Sequence, residues 1–267
     1  MIWAELVIDA PEAAAETVAA YVSVLAGGVE IREHGRLVAW VEPAKAEQWI
    51  ADLQTRFEGV RVAMKLRDED EWRDVWKQYF KPLRVGKRLV VRPSWEAFDP
   101  KPDDVVIELD PGRAFGTGTH ESTQLVMEAL ENLPAPARFL DVGCGSGILS
   151  IAAARLWPNA RGTAIDVDPE AVACARENFE RNHVTLEAST RRVGEIEGTF
   201  ELVLANIQAE VLLDMVEPLA ARAAGTLILS GLLGDQANDV AARYATRGLS
   251  IDHFADRGEW RAAILKR

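Results

Sequence analysis

Three short stretches carry the residue types that chemistry needs. The first is FLDVGCGSG, residues 139–147. An apolar strand ends at Asp141, glycines follow at 143, 145 and 147, and the helical run ILSIAAARL comes next. Glycine permits a tight turn and lets a ligand touch the backbone, and a helix beginning there offers free N–H groups. A dinucleotide site would space its glycines G-x-G-x-x-G. Here the spacing is G-x-G-x-G, with Ser150 where the last glycine of the other frame would fall. Asp141 would repel a phosphate and suits an ammonium group. The second stretch, AIDVDPEAV, puts Asp166 at the end of the next apolar strand, 23 residues after Gly143. A carboxylate there can accept both hydroxyls of a ribose. Its plainer role is a turn or cap residue. Asp168 and Pro169 have the types of an N-cap and a first helical turn. The third stretch is LVLANIQAEVL, residues 202–212, where Asn206 stands at the end of the fourth strand of the series. Strand ends in open α/β sheets face the ligand crevice. An amide carbonyl there holds a neutral amine without charge. A carboxylate would favour the protonated amine, which has no lone pair to attack with. Asn is also an N-cap residue, here for a helix from Ile207.

The elements that must position these residues follow from periodicity. From about residue 94, short apolar runs alternate with amphipathic helices. The runs are Phe139–Val142, Gly162–Ile165, Val184–Glu187, Leu202–Ala205 and Leu227–Leu229, with helices starting near Ile148, Asp168, Glu210 and Asp235. That alternation predicts a parallel sheet covered on both faces. Ser250–Phe254 and Arg261–Leu265, with Gly258 between, predict a closing hairpin whose last strand runs antiparallel at or near an edge. The first 66 residues follow another order. Ile2–Asp9 alternates, Pro11 opens an Ala-rich helix that Gly27–Gly28 ends, and Val29–Arg32 and Arg36–Val41 flank a His34–Gly35 turn. Pro43 opens a second helix with Trp49, Ile50, Leu53 and Phe57 at helical spacing, and Val60–Leu66 alternates again. This β-α-β-β-α-β order is the ferredoxin-like pattern. Between the two lies a helix with Trp72 and Trp76 on one face, followed by the basic run KPLRVGKRLVVRP. The expected division is a domain over 1–66, a helical and basic linker over 67–93, and a catalytic domain over 94–267.

Composition sets the outer limits. Two cysteines in 267 residues provide no disulfide framework and point to a reducing cytosol. No run approaches the length of a membrane span, and the N-terminus lacks the pattern of a signal peptide. The net charge of −12 argues against wholesale binding to nucleic acid or an anionic membrane. Its distribution is uneven: residues 1–60 hold 4 basic and 10 acidic side chains, residues 61–94 hold 10 and 5. The basic segment is either a solvated linker face or a binding patch. Cys144 and Cys174 are expected to be packing residues, and the four histidines show no ligand spacing, so no metal is expected. His120 is expected to cap or line the cofactor loop, with a role as base the alternative.

With those residues in place, the Asp141–Gly147 loop resembles motif I of the class I S-adenosylmethionine-dependent methyltransferases. Residues 110–130, DPGRAFGTGTHESTQLVMEAL, are more specific. They resemble the signature of the ribosomal protein L11 methyltransferases, the PrmA family, which runs close to D-P-G-x-A-F-G-T-G-T-H-x-T-T. This chain departs at Ser122. Trp72, Trp76, Phe80, Pro82, Arg88, Pro93–Ser94–Trp95, Asn206–Ile207 and Trp260 also resemble the family, whereas Gln208 stands where the family usually has Leu. The resemblance is specific over about 70–267.

The resemblance implies a class I methyltransferase, α/β with a Rossmann-like, mostly parallel sheet and an antiparallel last strand, preceded by a small ferredoxin-like α+β domain. It implies S-adenosylmethionine as cofactor, with contacts at Thr123, Gly143, Asp166 and Asn206, joined by Gly145 of the same loop. Phe115 would face the sulfonium, as a cation–π partner or as an apolar lid. Asn206 would also hold the attacking nitrogen. The implied substrate is ribosomal protein L11, at its N-terminal amine and lysine side chains, and the implied enzyme is a cytoplasmic monomer that binds no membrane and needs no nucleic acid. Alternatives are a lysine methyltransferase of another target, an NAD(P)-dependent oxidoreductase, and a non-enzymatic ribosome-assembly factor.

Overall fold

The computed structural model describes residues 2–11, 14–26, 30–31, 36–57, 59–68, 80–110 and 118–267. The chain divides into two compact units, Met1–Phe80 and Lys81–Arg267. Trp72, Trp76, Phe115 and the Gly27–Gly28 and His34–Gly35 turns lie outside the described residues.

In the first unit the order is β1 (Ile2–Asp9), α1 (Ala15–Ala26), β2 (Glu30–Ile31), β3 (Arg36–Val41), α2 (Pro43–Arg56) and β4 (Arg61–Asp68). The strands pair antiparallel in the order β2-β3-β1-β4. Alternation in β1 sends Ala4, Leu6 and Ile8 to one face, where they meet Leu37, Ala39 and Val41 of β3 and the helix residues Val18, Val22, Ala46 and Leu53. Pro43 opens α2 at its first turn. Pro11 stands just ahead of α1, its carbonyl accepting the Ala14 N–H at 2.8 Å.

The second unit starts with a small sheet of β5 (Leu83–Val85), β6 (Leu89–Arg92) and β7 (Val105–Glu108), antiparallel between β5 and β6 and parallel between β6 and β7. It continues with α3 (Glu121–Glu131), β8 (Arg138–Val142), α4 (Ile148–Leu156), β9 (Arg161–Ile165), α5 (Pro169–Arg181), β10 (Glu187–Ser189) and β11 (Phe200–Asn206). Then come α6 (Ala209–Asp214), α7 (Val216–Arg222), β12 (Ala223–Leu233), α8 (Gly234–Ala245), β13 (Ser250–Arg257) and β14 (Trp260–Lys266). The main sheet has the order β10-β9-β8-β11-β12-β14-β13. β14 runs antiparallel between β12 and β13, so the last strand lies beside the edge strand. Leu204 and Ile228 belong to the apolar cluster on one side of the sheet, and Val203, Leu227 and Leu229 to the cluster on the other. That is why these strands are apolar throughout rather than alternating.

Two boundaries differ from expectation. The strand expected over Val184–Glu187 forms over Glu187–Ser189. His183 takes a positive φ of 53° and the Val184 N–H bonds back to Phe179, so these residues finish α5 before the chain reaches the sheet. The basic run to residue 93 is no linker: from Lys81 onward it belongs to the second unit. The Glu131 carboxylate, at the end of α3, accepts the backbone N–H groups of Lys87 and Arg88 at 2.7 Å and of Leu89 at 2.9 Å. Gly86 turns with φ +68° where a Cβ would strike that same carboxylate. The cations find acids 15 to 20 residues further along the chain. Arg84 makes a two-point contact with Asp104 at 2.7 Å, Arg92 meets Glu108 at 2.5 Å and Lys81 meets Glu96 at 2.8 Å. The Arg84 guanidinium holds the Asp104 carboxyl down at about 2.

Glu131→Ala is expected to release the β5–β6 turn and lower stability by about 2 kcal/mol or more, as for hydrogen bonds to a charged acceptor. Chemical denaturation of the variant beside the wild type checks this.

Candidate active site

The site forms where parallel strands end together. Val142 of β8 pairs with Ile165 of β9 on one side and Ala205 of β11 on the other. The next residues, Gly143, Asp166 and Asn206, therefore stand in one row at the carboxyl edge of the sheet, Asn206 as the last residue of β11, paired with Ser230 of β12. Strand order reverses at β8, because the chain goes outward to β9 and β10 and then crosses back to β11. Loops diverge at such a reversal and leave a crevice. A cavity of about 880 Å³ opens there, a size that suits a small-molecule ligand. Thr123, Gly143, Gly145, Asp166 and Asn206, the five residues predicted to bind cofactor or act on substrate, all line it.

The glycine loop needs its glycines. Gly143, Gly145 and Gly147 have φ values of 71°, 53° and 80°, a region that side chains disfavour. A Cβ on Gly143 would lie 2.4 Å from Ile207, and one on Gly147 would lie 2.6 Å from Phe179. The Asp166 carboxylate fixes the loop: Oδ2 accepts the Gly145 N–H at 2.9 Å and Oδ1 accepts the Asp168 N–H at 3.0 Å. Each oxygen keeps a second lone pair for a ligand hydroxyl. Asp168 caps α5 through the Glu170 N–H, with Pro169 in the first turn.

Asp141 is placed differently from the sequence expectation. Its side chain does not line the cavity; it is buried and accepts the Ser150 hydroxyl at 2.6 Å. An ammonium group in the cavity has no direct path to it. Burial pushes its carboxyl up to about 6, while the Ser150 hydroxyl and backbone N–H work in the other direction. Burial also pushes the Cys144 thiol well above its ordinary value, with the nearby Asp141 and Asp166 charges adding to the effect. A thiol kept protonated is a poor nucleophile, and this one packs in the core beneath the loop.

Asn206 ends β11 and is no helix cap; Gln208 holds that position for α6. Its Nδ2 donates to Thr123 Oγ1 at 3.2 Å. Its Oδ1 is buried with no hydrogen-bond partner among the described residues. Two neighbours fix this corner. The Ser230 hydroxyl of β12 donates to the Ser122 carbonyl at 2.9 Å, and the Ile207 N–H donates to the Ser230 carbonyl at 3.2 Å. Gly231, with φ +79°, leaves room for the Ile207 carbonyl, which a Cβ would approach to 2.6 Å. His120 caps α3, its Nδ1 accepting the Ser122 N–H at 3.3 Å, and its ring meets Trp260 edge-on at 4.6 Å between centroids. It also lines the cavity, so capping and lining are both realised.

The spacing of motifs did not reveal one wall. Val167 is 75% exposed beside Asp166, and Val193–Gly194 in the 3₁₀ turn Val193–Glu195 face the same space. Arg222 clamps that turn through the carbonyls of Val193, Gly194 and Gly198 at 3.3–3.4 Å. Their only sequence signal is position: each follows the end of a strand whose carboxyl end faces the crevice.

A nucleoside with a cationic amino-acid tail fits this cavity. It can offer hydroxyls to Asp166 and a surface that passes over the glycines of the loop. The reversed sheet with its antiparallel β14, the glycine loop and the acid at the end of β9 define a class I methyltransferase, with S-adenosylmethionine as its methyl donor. A family model described as ribosomal protein L11 methyltransferase (PrmA) matches residues 6–267, and the chain belongs to that family. Among its relatives, a ribosomal protein L11 methyltransferase from Geobacter sulfurreducens is 39% identical over 99% of this chain and 98% of its own. One from Geobacter metallireducens is 49% identical over 75% of this chain and 67% of its own. The crystal structure of a ribosomal protein L11 methylase from Lactobacillus delbrueckii subsp. bulgaricus superposes with a TM-score of 0.66 at 33% identity, covering 70% of this chain and 99% of that one. Among the described residues no helix is long and apolar enough to cross a membrane.

The buried Asp141 gives a pH signature. Its folded-state value of about 6 lies above the ordinary 3.8. The folded chain therefore binds more protons between those values and loses stability as pH rises through them. Asp141→Asn removes this titration. Its stability relative to the wild type is expected to rise between about pH 4 and pH 6, at up to about 1.4 kcal/mol per unit. Denaturant unfolding across that range checks the slope; a constant difference would mean that Asp141 ionises normally.

Proposed function

We propose that this chain methylates ribosomal protein L11 at its N-terminal amine and lysine side chains, acting in the cytoplasm as a monomer without a nucleic-acid partner. The observation that carries this reading is the buried, unpartnered Asn206 Oδ1 at the cavity. An acceptor without charge is what a neutral attacking amine needs, since a carboxylate would stabilise the ammonium form.

In this reading S-adenosylmethionine supplies an electrophilic methyl group. Asp166 takes the ribose hydroxyls while its own carboxylate stays tied to the Gly145 and Asp168 N–H groups. Gly143 and Gly145 let the cofactor lie against the backbone. Thr123, buried in the first turn of α3, takes the Nδ2 end of the Asn206 amide and leaves Oδ1 without a partner. Asn206 then holds the amine in line with the methyl group, and positioning accounts for most of the rate. A free lysine amine titrates near 10.4, so desolvation in the cavity or transfer to water removes its proton. No side chain is assigned as a dedicated base.

The small unit is the recognition element in this scheme. L11 is taken to be basic, like ribosomal proteins generally, and residues 1–60 carry 10 acidic against 4 basic side chains.

The central test is mass spectrometry of purified L11 after incubation with the protein and S-adenosylmethionine. Two substitutions separate the roles. Asp166→Ala is expected to weaken cofactor binding at least about tenfold by calorimetry, through loss of charge-assisted hydrogen bonds. Asn206→Ala is expected to lower turnover with saturating cofactor by more than it weakens cofactor binding. Unchanged turnover would remove Asn206 from the reaction. A protein of residues 81–267 is expected to bind S-adenosylmethionine normally and to leave folded L11 unmethylated; full activity without the first unit would refute the recognition role.

A further inference from the structure

The cavity holds a second neutral amide. Gln208 follows Asn206 by two residues and lines the same space. It sits at the N-cap of α6 with φ −60° and ψ 147°, yet its side chain makes no capping hydrogen bond. Gln208 itself is exposed, whereas Ala209 and Leu212 bury the other face of α6 in the core. Packing therefore makes no demand on the type of residue at 208. The nearby polar side chains are engaged. Ser122 Oγ meets His120 Nδ1 at 2.8 Å, Thr123 Oγ1 accepts from Asn206, and both Asp166 oxygens accept backbone N–H groups. Asn206 Oδ1 and Gln208 Oε1 remain as uncharged acceptors two residues apart, at the end of β11 and the start of α6.

We propose that Gln208 Oε1 and Asn206 Oδ1 together take the two N–H groups of an unmethylated acceptor amine, so that Gln208 sets how fast the first methyl is added relative to later ones. This rests on the reading that the acceptor is an amine. A neutral primary amine has two N–H bonds and one lone pair. One acceptor leaves it free to rotate; two acceptors fix where the lone pair points. In the transfer, that pair forms the N–C bond, the C–S bond breaks with its electrons going to sulfur, and the surplus N–H proton leaves to water. A monomethylated amine keeps one N–H and a dimethylated amine keeps none. The contribution of Gln208 is therefore greatest at the first transfer and absent at the third.

The test uses the full-length protein and L11 in two forms, unmethylated and with its amines reductively dimethylated. Gln208→Met retains side-chain length without the acceptor, and Gln208→Leu is a second variant. With S-adenosylhomocysteine bound, calorimetry should show that the wild type prefers unmethylated over dimethylated L11 and that both variants lose most of that preference. By mass spectrometry, first-methyl transfer should slow about tenfold in the variants while transfer to dimethylated amines stays within about twofold, the scale of one lost hydrogen bond. An unchanged preference, or equal slowing on both forms, overturns the proposal. If the wild type methylates L11 and the variants match it, only the role of Gln208 falls. If the wild type transfers no methyl to either form, the amine reading falls and the role of Gln208 with it.

Discussion

The site depends on the parallel pairing of β8 with both of its neighbours. One register line, through Ile165, Val142 and Ala205, sets three chain segments level at their carboxyl ends. Whatever follows that line must share a narrow row. Gly143 has no room for a side chain because Ile207, just past the end of the neighbouring β11, leans over it. Asp166 reaches back to the Gly145 N–H from the other side. The loop is thus held from both flanks before any ligand arrives. A rigid backbone suits chemistry that depends on alignment.

Charge is sorted across this small volume. The carboxylates near the cavity are engaged from within the protein, Asp166 by backbone N–H groups and Asp141 by a hydroxyl beneath the loop. Among the described residues, the side chain left with an unused buried acceptor is the neutral amide of Asn206. A cavity arranged this way can hold a nucleoside cation without also trapping the acceptor as an ammonium. The same sorting explains the silent cysteine: Cys144 packs in a region where a second negative charge would be costly.

The basic stretch shows how local pairing alters a charge pattern. Its cations looked available because no acid lies among them in the sequence. In the fold, β6 pairs with β7, and the acids of the segment from Glu96 to Glu108 come alongside. Of the three, Lys81–Glu96 is the most exposed and contributes little to stability, while all three use up charge that would otherwise attract a polyanion.

The sequence by itself determined the element order, the glycine loop, the acid after β9 and the amide at the end of β11. Each rests on a local rule: apolar runs for buried strands, glycine for positive φ, proline and Asp at a helix start. Local rules also reached the caps at Asp168 and Pro169. They could not place Asp141, because whether a carboxylate at a strand end faces a cavity or the core depends on what packs over it, here α4 and Ser150. They could not find Arg222 and the Val193–Glu195 turn, which meet across about thirty residues of chain without a motif. They read residues 81–93 as a linker because the acid that anchors its turn, Glu131, lies 42 to 44 residues away. Only the tertiary structure decided which acceptor was left unsatisfied. Asn206 Oδ1 is free because Thr123 took the other end of the amide from a helix 83 residues earlier in the chain. Hydrogen-bond satisfaction is a count over all neighbours in space, and spacing along a chain does not contain it.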